Sequence, residues 1–181
     1  MSVTVQEVLR QLQAFAPPEL ACAWDNVGLL VDAGAPVDGV LTALDITPAV
    51  VREAAASGCT LIVSHHPVIF DALKRIAADD VPALLLQNGI SAICMHTNLD
   101  AAEGGSYLQQ AIDEGADCLV TGEGAHHIAL LAQQKGVGLI VAGHWGTEHA
   151  IADALAARLA AAFPQLAVRH AAADTDPYTY V

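Results

Sequence analysis

The chain predicts an α/β protein, a layered sheet flanked by helices, and three observations carry that expectation. Short apolar runs rich in β-branched residues recur along it, each too short for a helix and each following a glycine. A helix-like stretch precedes each run. The runs end on histidine or glutamate, and open α/β sheets gather their ligands at the carboxyl ends of strands.

The elements follow in order. Thr4-Val5-Gln6-Glu7 reads as a capping box, with Val5, Val8, Leu9, Leu12 and Phe15 on one helical stripe ended by Pro17-Pro18. Trp24 to Val31 reads as a turn and then a strand, the turn being either a plain tight turn or a loop lining a site. Val40 to Ile46 is a strand with Asp45 at its exit, either a hydrogen-bonding group of the following helix region, the reading favoured here, or a group supporting a ligand. Thr47-Pro48 then starts a helix running through Ala56, by the rule of N-cap followed by proline.

Leu61-Ile62-Val63 is a buried strand leading into Ser64-His65-His66-Pro67. Adjacent strand residues point to opposite faces, so the two imidazoles are expected to splay and serve two ions, or one ion and its surroundings, rather than chelate one ion together. Residues 70–77 are a loop or short helix, and Val81 to Gln87 a helix. The strand Ile90 to Met95 exits into His96-Thr97-Asn98-Leu99-Asp100, a dense polar turn in which Asp100 is a candidate metal ligand.

Tyr107 to Asp113 and Ile128 to Gln134 are helical, each stopped by a glycine, Gly115 and Gly136. Between them Leu119-Val120-Thr121 opens onto Gly122-Glu123-Gly124. The run Gly136 to His144 echoes Gly58 to His65 about eighty residues later. Thr147 is expected to cap a long helix through Ala162, Leu166-Ala167-Val168 to form an edge strand, and residues 174–181 to form a tail. The motifs divide the chain into an N-terminal α/β part, 1–105, and a C-terminal one, 106–181, folded separately or as one compact domain.

Composition narrows the function. Net charge is -13 with only Lys74 and Lys135 as ammonium groups, so nucleic acid is not an expected partner. No apolar run approaches the ~20 residues that cross a bilayer, and the first residues carry no signal-like pattern, so no membrane partner and a cytoplasmic protein are expected. Cys22, Cys59, Cys94 and Cys118 lack CxxC spacing and read as buried free thiols.

The strand exits collect His65, His66, Asp100, His144 and Glu148, three imidazoles and two carboxylates that suit Zn, Fe, Mn or Ni better than Mg. Glu148, with two oxygens at the first turn of a helix, is the natural bridge between two ions. Paired ions lower the pKa of bound water and polarise an electrophile, which is hydrolytic chemistry. GxSxG, GxxxxGK[ST] and GxGxxG patterns are absent from the sequence. Glu123 and His127 are candidate acid/base or ligand-supporting groups, the alternative being a helix-capping glutamate and an exposed histidine.

Five motifs in order, Trp24 to Leu29, Ser64 to Pro67, His96 to Asp100 with Ala101 to Gly105, Thr121 to Glu123, and Gly143 to Glu148, resemble those of the Nif-three-like family, whose members are also named GTP cyclohydrolase I type 2 homologs. The resemblance implies an α/β fold with a dinuclear metal centre and a homohexamer. It places His66 and Asp100 on one ion, His65 and His144 on the other, and Glu148 across both. It also implies a metal-dependent hydrolase that opens the purine imidazole ring of GTP with release of formate. Two alternatives stand beside that function, a non-catalytic metal-binding scaffold or regulatory protein, and a hydrolase of another small molecule. The chain departs from the family in a shortened middle region, where Gly104-Gly105-Ser106-Tyr107 joins the two halves directly, and in Gly124-Ala125, where members often carry an apolar residue and a lysine.

Overall fold

The computed structural model describes residues 2–103 and 108–179. The expected junction, Gly104 to Tyr107, lies outside them, as does the side chain of His127. The chain divides into two units, Met1–Glu103 with Ile151–Thr175, and Gly104–Ala150 with Asp176–Val181.

The first unit is built on a five-stranded sheet. Its strands are β1 (Gly28–Val31), β2 (Gly39–Ala43), β3 (Leu61–Ser64), β4 (Ser91–Cys94) and a last strand, Ala167–His170, in the order β1-β4-β3-β2 and then the last. All pairings are parallel except β1 with β4. Alternate residues of the central strands enter two cores. Val40, Leu61, Val63 and Ile93 pack against α1 (Val5–Phe15), Leu99, Leu155 and Leu159. Leu41, Ile62 and Ala92 pack against α2 (Pro48–Ala56) and α3 (Val81–Gln87). Because both faces are covered, β2, β3 and β4 are buried at every position.

Local chemistry sets the helix starts as expected. Thr4 Oγ1 accepts from the Glu7 N–H at 3.2 Å, and the Glu7 carboxylate accepts from the Thr4 N–H at 2.8 Å. Thr47 accepts from the Val50 N–H, with Pro48 in the first turn of α2.

The second unit holds α5 (Leu108–Asp113), β5 (Cys118–Thr121), α6 (His126–Lys135) and β6 (Gly138–Val141), following α4 (Thr97–Glu103) of the first unit. Its two strands run parallel, and Leu108, Ala111, Leu119, Ala132 and Val137 form its core. Four sequence expectations change. Thr147 does not cap a long helix: α7 (His144–Glu148) and α8 (Ala150–Ala162) are separate, and Thr147 sits inside α7, donating to the Gly143 and His144 carbonyls. A hydroxyl on a helix can satisfy itself on the preceding turn's carbonyls, and this one does so. The expected edge strand is shifted: it is Ala167–His170, now β7, starting one residue later and ending two later than expected, and it pairs with β2. Asp174 is no tail residue but is buried, accepting from the Leu44 N–H and bonding His170 Nε2 at 3.0 Å. Finally, Cys59 and Cys94 are buried free thiols, but Cys22 is only partly covered and Cys118 exposed, because one face of β5 has little packed on it.

Candidate metal-ligating site

The strand registers determine which groups meet at the carboxyl edge of the large sheet. Ala43 pairs with Ser64, and Ser64 with Cys94, so the residues following β2, β3 and β4 emerge side by side. The ladder continues one step beyond the strands, with the His65 N–H donating to Ala43 O at 3.1 Å and the His66 N–H to Leu44 O at 2.9 Å. β1 is antiparallel, and Gly28 faces Cys94, so the loop before β1 rather than after it reaches this edge. That brings Asp25 into the site.

Three imidazoles cluster there. Ring centroids are 5.2 Å apart for His65 and His66, 5.3 Å for His65 and His96, and 5.6 Å for His66 and His96. The expected splay of His65 and His66 does not occur, because β3 ends at Ser64 and the chain bends through both residues, so strand alternation no longer applies. The Ser64 hydroxyl donates to the His66 carbonyl at 2.7 Å across this bend.

Each ring has its Nδ1 on a fixed partner. His65 Nδ1 donates to Met95 O at 2.8 Å, His66 Nδ1 bonds Asp45 Oδ1 at 2.9 Å, and His96 Nδ1 bonds Asp25 Oδ1 at 2.9 Å. A neutral ring donating through Nδ1 carries its lone pair on Nε2, the arrangement in which outer groups orient metal-ligating histidines. Asp100, in the first turn of α4, brings Oδ1 to 3.4 Å from His65 Nε2. One ring nitrogen from each of the three histidines lies within 4.8 Å of the others, so the donor set fits a borderline divalent cation.

Asp25 is the buried centre of this support. Its side chain has no solvent exposure and also accepts from the Thr97 N–H at 3.0 Å and the Thr97 hydroxyl. Burial raises its pKa, but the bonds from His96, Thr97 and Asn26 outweigh that and hold the carboxyl below its ordinary value. Nearby, burial first and then the Asp25 and Asp100 carboxylates push the Cys94 thiol far up, so it stays protonated. Trp24 lies at the cluster's rim, its ring 6.2 Å from His96 and 5.9 Å from the exposed Phe70.

The second unit carries the remaining sequence candidates. Thr121 pairs with Val141, so Glu123 and His144 follow adjacent parallel strands. His144 Nδ1 lies 3.3 Å from Glu123 Oε1, and its Nε2 2.8 Å from Glu148 Oε2, one helical turn on. Glycine permits this approach. A Cβ at Gly122 would meet Thr147 Oγ1 at 2.7 Å and His144 Cα at 3.3 Å, and Gly143 holds φ at +86° where α7 begins. Glu123 therefore sits against His144, its side chain 77% exposed. His127 lies on α6, and its side chain is outside the described residues.

Sequence reasoning gave three members of the first cluster no place or the wrong one of two. For Asp45 the favoured reading, service to the following helix, gives way to the alternative, since it orients His66. Its place at a strand exit, the same position as the histidines, was the available signal. His96 was read as the polar exit of its strand without a ligand role, and Asp25 required knowledge that β1 runs antiparallel beside β4, which no local pattern reveals.

A profile of the Duf34/NIF3 (NGG1p interacting factor 3) family matches residues 3–107 and 103–177. The chain belongs to the Duf34/NIF3 family. Relatives named "GTP cyclohydrolase 1 type 2 homolog" include one from Clostridium acetobutylicum, 37% identical over 110 residues, covering 58% of this chain and 41% of the relative. Another, from Staphylococcus aureus strain Mu50, is 43% identical over 100 residues, covering 53% of this chain and 27% of the relative. The matches thus span less than half the length of these curated relatives. The Duf34/NIF3 fold is also that of the S. aureus hypothetical protein SA1388, with a TM-score of 0.87 at 24% identity over 100% of both chains.

Proposed function

We propose that this Duf34/NIF3 chain binds two divalent cations through His65, His66, Asp100, His144 and Glu148 and is a hydrolase of a small heteroaromatic substrate, GTP or a related nucleotide. The observation that supports it most is the common orientation of the imidazoles, each Nδ1 held by a carbonyl or carboxylate so that Nε2 keeps its lone pair. His144 is placed differently, between two carboxylates of its own unit, Glu123 at Nδ1 and Glu148 at Nε2. Ions held there would supply an activated water near neutral pH and a Lewis acid for the electrophile.

The chain's own groups then have distinct duties. Asp25 and Asp45 keep His96 and His66 in one tautomer. Trp24 and Phe70, exposed at the cluster's rim, offer flat apolar faces to a purine. Glu123, exposed and beside His144, is placed to take and return a proton, with His127 as the second candidate. The names of the curated relatives favour GTP as the first substrate to try. A homohexamer in the cytoplasm belongs to the same proposal; no helix among the described residues is long and apolar enough to cross a membrane.

The test is metal analysis followed by incubation of the loaded protein with GTP. About two ions per chain, formate release, and loss of that release in His66→Ala support the reading. Equal trace rates for wild type and His66→Ala reject hydrolysis of GTP. Two bound ions without formate from any nucleotide favour a metal-binding protein without turnover.

A further inference from the structure

We propose that Asp174 is a positioning residue for His66: it holds the Leu44 peptide, and through that peptide both of the groups that fix His66. This rests on the reading of His66 as a metal ligand, and it brings the segment after β7 into the support of the site.

The geometry starts from the sheet. In a parallel ladder a residue that donates to one partner residue accepts from the residue two further on. Ala171 donates to Thr42 O at 2.8 Å, so its own carbonyl would take the Leu44 N–H if β7 continued. The chain turns instead: Ala171 O accepts from the Asp174 N–H at 3.3 Å, and the Asp174 carboxylate takes the Leu44 N–H in its place. A side chain thus extends the ladder past the end of β2 on this side. On the other side the backbone continues it, with Leu44 O accepting from the His66 N–H at 2.9 Å. Asp45, the next residue, bonds His66 Nδ1, also at 2.9 Å. The backbone and the ring of His66 are therefore both held by residues 44 and 45, and Asp174 holds their N-terminal peptide.

The carboxylate is itself firmly placed. Its side chain is 2% exposed, and Oδ2, the oxygen that takes the Leu44 N–H, also lies 3.0 Å from His170 Nε2. His170 Nδ1 is in turn 3.0 Å from Asp153 Oδ1 on α8. The two residues before Asp174 donate their N–H groups to the Glu53 carboxylate of α2, Ala172 at 3.0 Å and Ala173 at 2.7 Å. Two helices thus aim one carboxylate at one peptide. Leu44 is 1% exposed, so without that carboxylate its N–H would be buried and unsatisfied, and the peptide would shift towards another acceptor. Such a shift reaches His66 and spares His96, whose Nδ1 is fixed by Asp25 from the loop before β1.

The experiment compares Asp174→Ala and Asp174→Asn with wild type in the full chain, metal-free and with Zn(II). Nitrogen NMR of the imidazoles, recorded above their ordinary pKa of about 6.5, reads the tautomer of each ring. In Asp174→Ala the His66 signals should move from one tautomer towards the average of two while those of His96 stay. Calorimetry should show Zn(II) bound about 10–100-fold more weakly, the loss typical of an orienting group. Asp174→Asn keeps an oxygen that can accept from the Leu44 N–H, and should recover most of both. A general loosening of the fold would move the two rings together. The proposal is overturned if the His66 signals of Asp174→Ala match wild type, if His96 shifts as much as His66, or if Asp174→Asn does no better than Asp174→Ala. Should Asp174→Ala not fold, His170→Ala carries the test, since it frees the carboxylate but leaves the Leu44 acceptor in place. A smaller shift of His66 in the same direction then supports the proposal, and no shift overturns it. A wild-type chain that binds no Zn(II) removes the metal-binding reading, and the ring signals of the metal-free chain still decide whether Asp174 positions His66.

Discussion

The two units use the same building unit and bury it differently. Helix, glycine, four-residue apolar strand and polar exit describe β3 in the first and both β5 and β6 in the second. Yet Leu61, Ile62 and Val63 are fully buried, whereas Val120 is 59% and Ile140 52% exposed. The first sheet has helices on both faces, and the small parallel sheet buries one face against α5 and α6. An apolar run therefore encodes a strand without encoding how many of its faces are covered. The candidate ligands follow the same division. His65 is 2% exposed and set between neighbouring strand exits, while His144 is 40% exposed and leans on glutamates of its own unit.

The largest effect that would sharpen this contrast is a pair of truncations. Leu61→Ala removes a branched side chain from a fully buried core position, and should cost about 2–5 kcal/mol in urea unfolding. Ile140→Ala should stay within about 0.5 kcal/mol of wild type, as surface substitutions do. Equal costs would mean that the apolar face of the small sheet is covered in solution, and the contrast would fail.

Much of the first unit was legible in the sequence because its signals are local. The Thr4–Glu7 box, the Thr47-Pro48 start and the apolar runs each depend on residues within one helical turn or one strand. What escaped depended on distant chain. Asp25 meets His96 across 71 positions, and Asp174 meets Leu44 across 130. The His65–His66 pair shows a subtler limit. The strand was found, and so was its exit at the histidines, but the expected splay carried strand alternation past that exit into residues where the chain bends, and there the two rings adjoin. Thr147 failed for a different reason, since a threonine at a helix start and one inside a short helix look alike in sequence.

A middle-sized test compares the groups that support the imidazoles. Asp25→Ala leaves the Thr97 N–H and His96 Nδ1 without their buried acceptor, and should cost about 1–3 kcal/mol. It should also weaken metal binding about 10–100-fold. Glu123→Gln, at an exposed carboxylate, should leave stability within about 0.5 kcal/mol of wild type and change only what depends on His144. Thermal unfolding with and without added Zn(II) separates the two effects. If Glu123→Gln destabilises the apo chain as much as Asp25→Ala, the second unit's site is as firmly built as the first's.

The smallest test concerns how each unit starts its helices. α1 has a reciprocal box, but Ala125 at the N-cap of α6 makes no side-chain bond. Thr4→Ala should therefore cost about 1 kcal/mol, while Ala125→Ser should stabilise by about 0.5 kcal/mol or more. The box also carries a pH signature. The Thr4 side-chain and backbone bonds hold the Glu7 carboxyl below its ordinary value. A depressed carboxyl stabilises the fold above its unfolded pKa of about 4.3, and that contribution disappears as pH falls through the lower folded value. The gap between wild type and Thr4→Ala should accordingly be constant near neutrality and narrow below about pH 4, whereas any gain from Ala125→Ser, which pairs with no acid three residues on, should show no such step. A gap for Thr4→Ala that persists unchanged into acid would show that the hydroxyl alone, and not the paired carboxylate, starts α1.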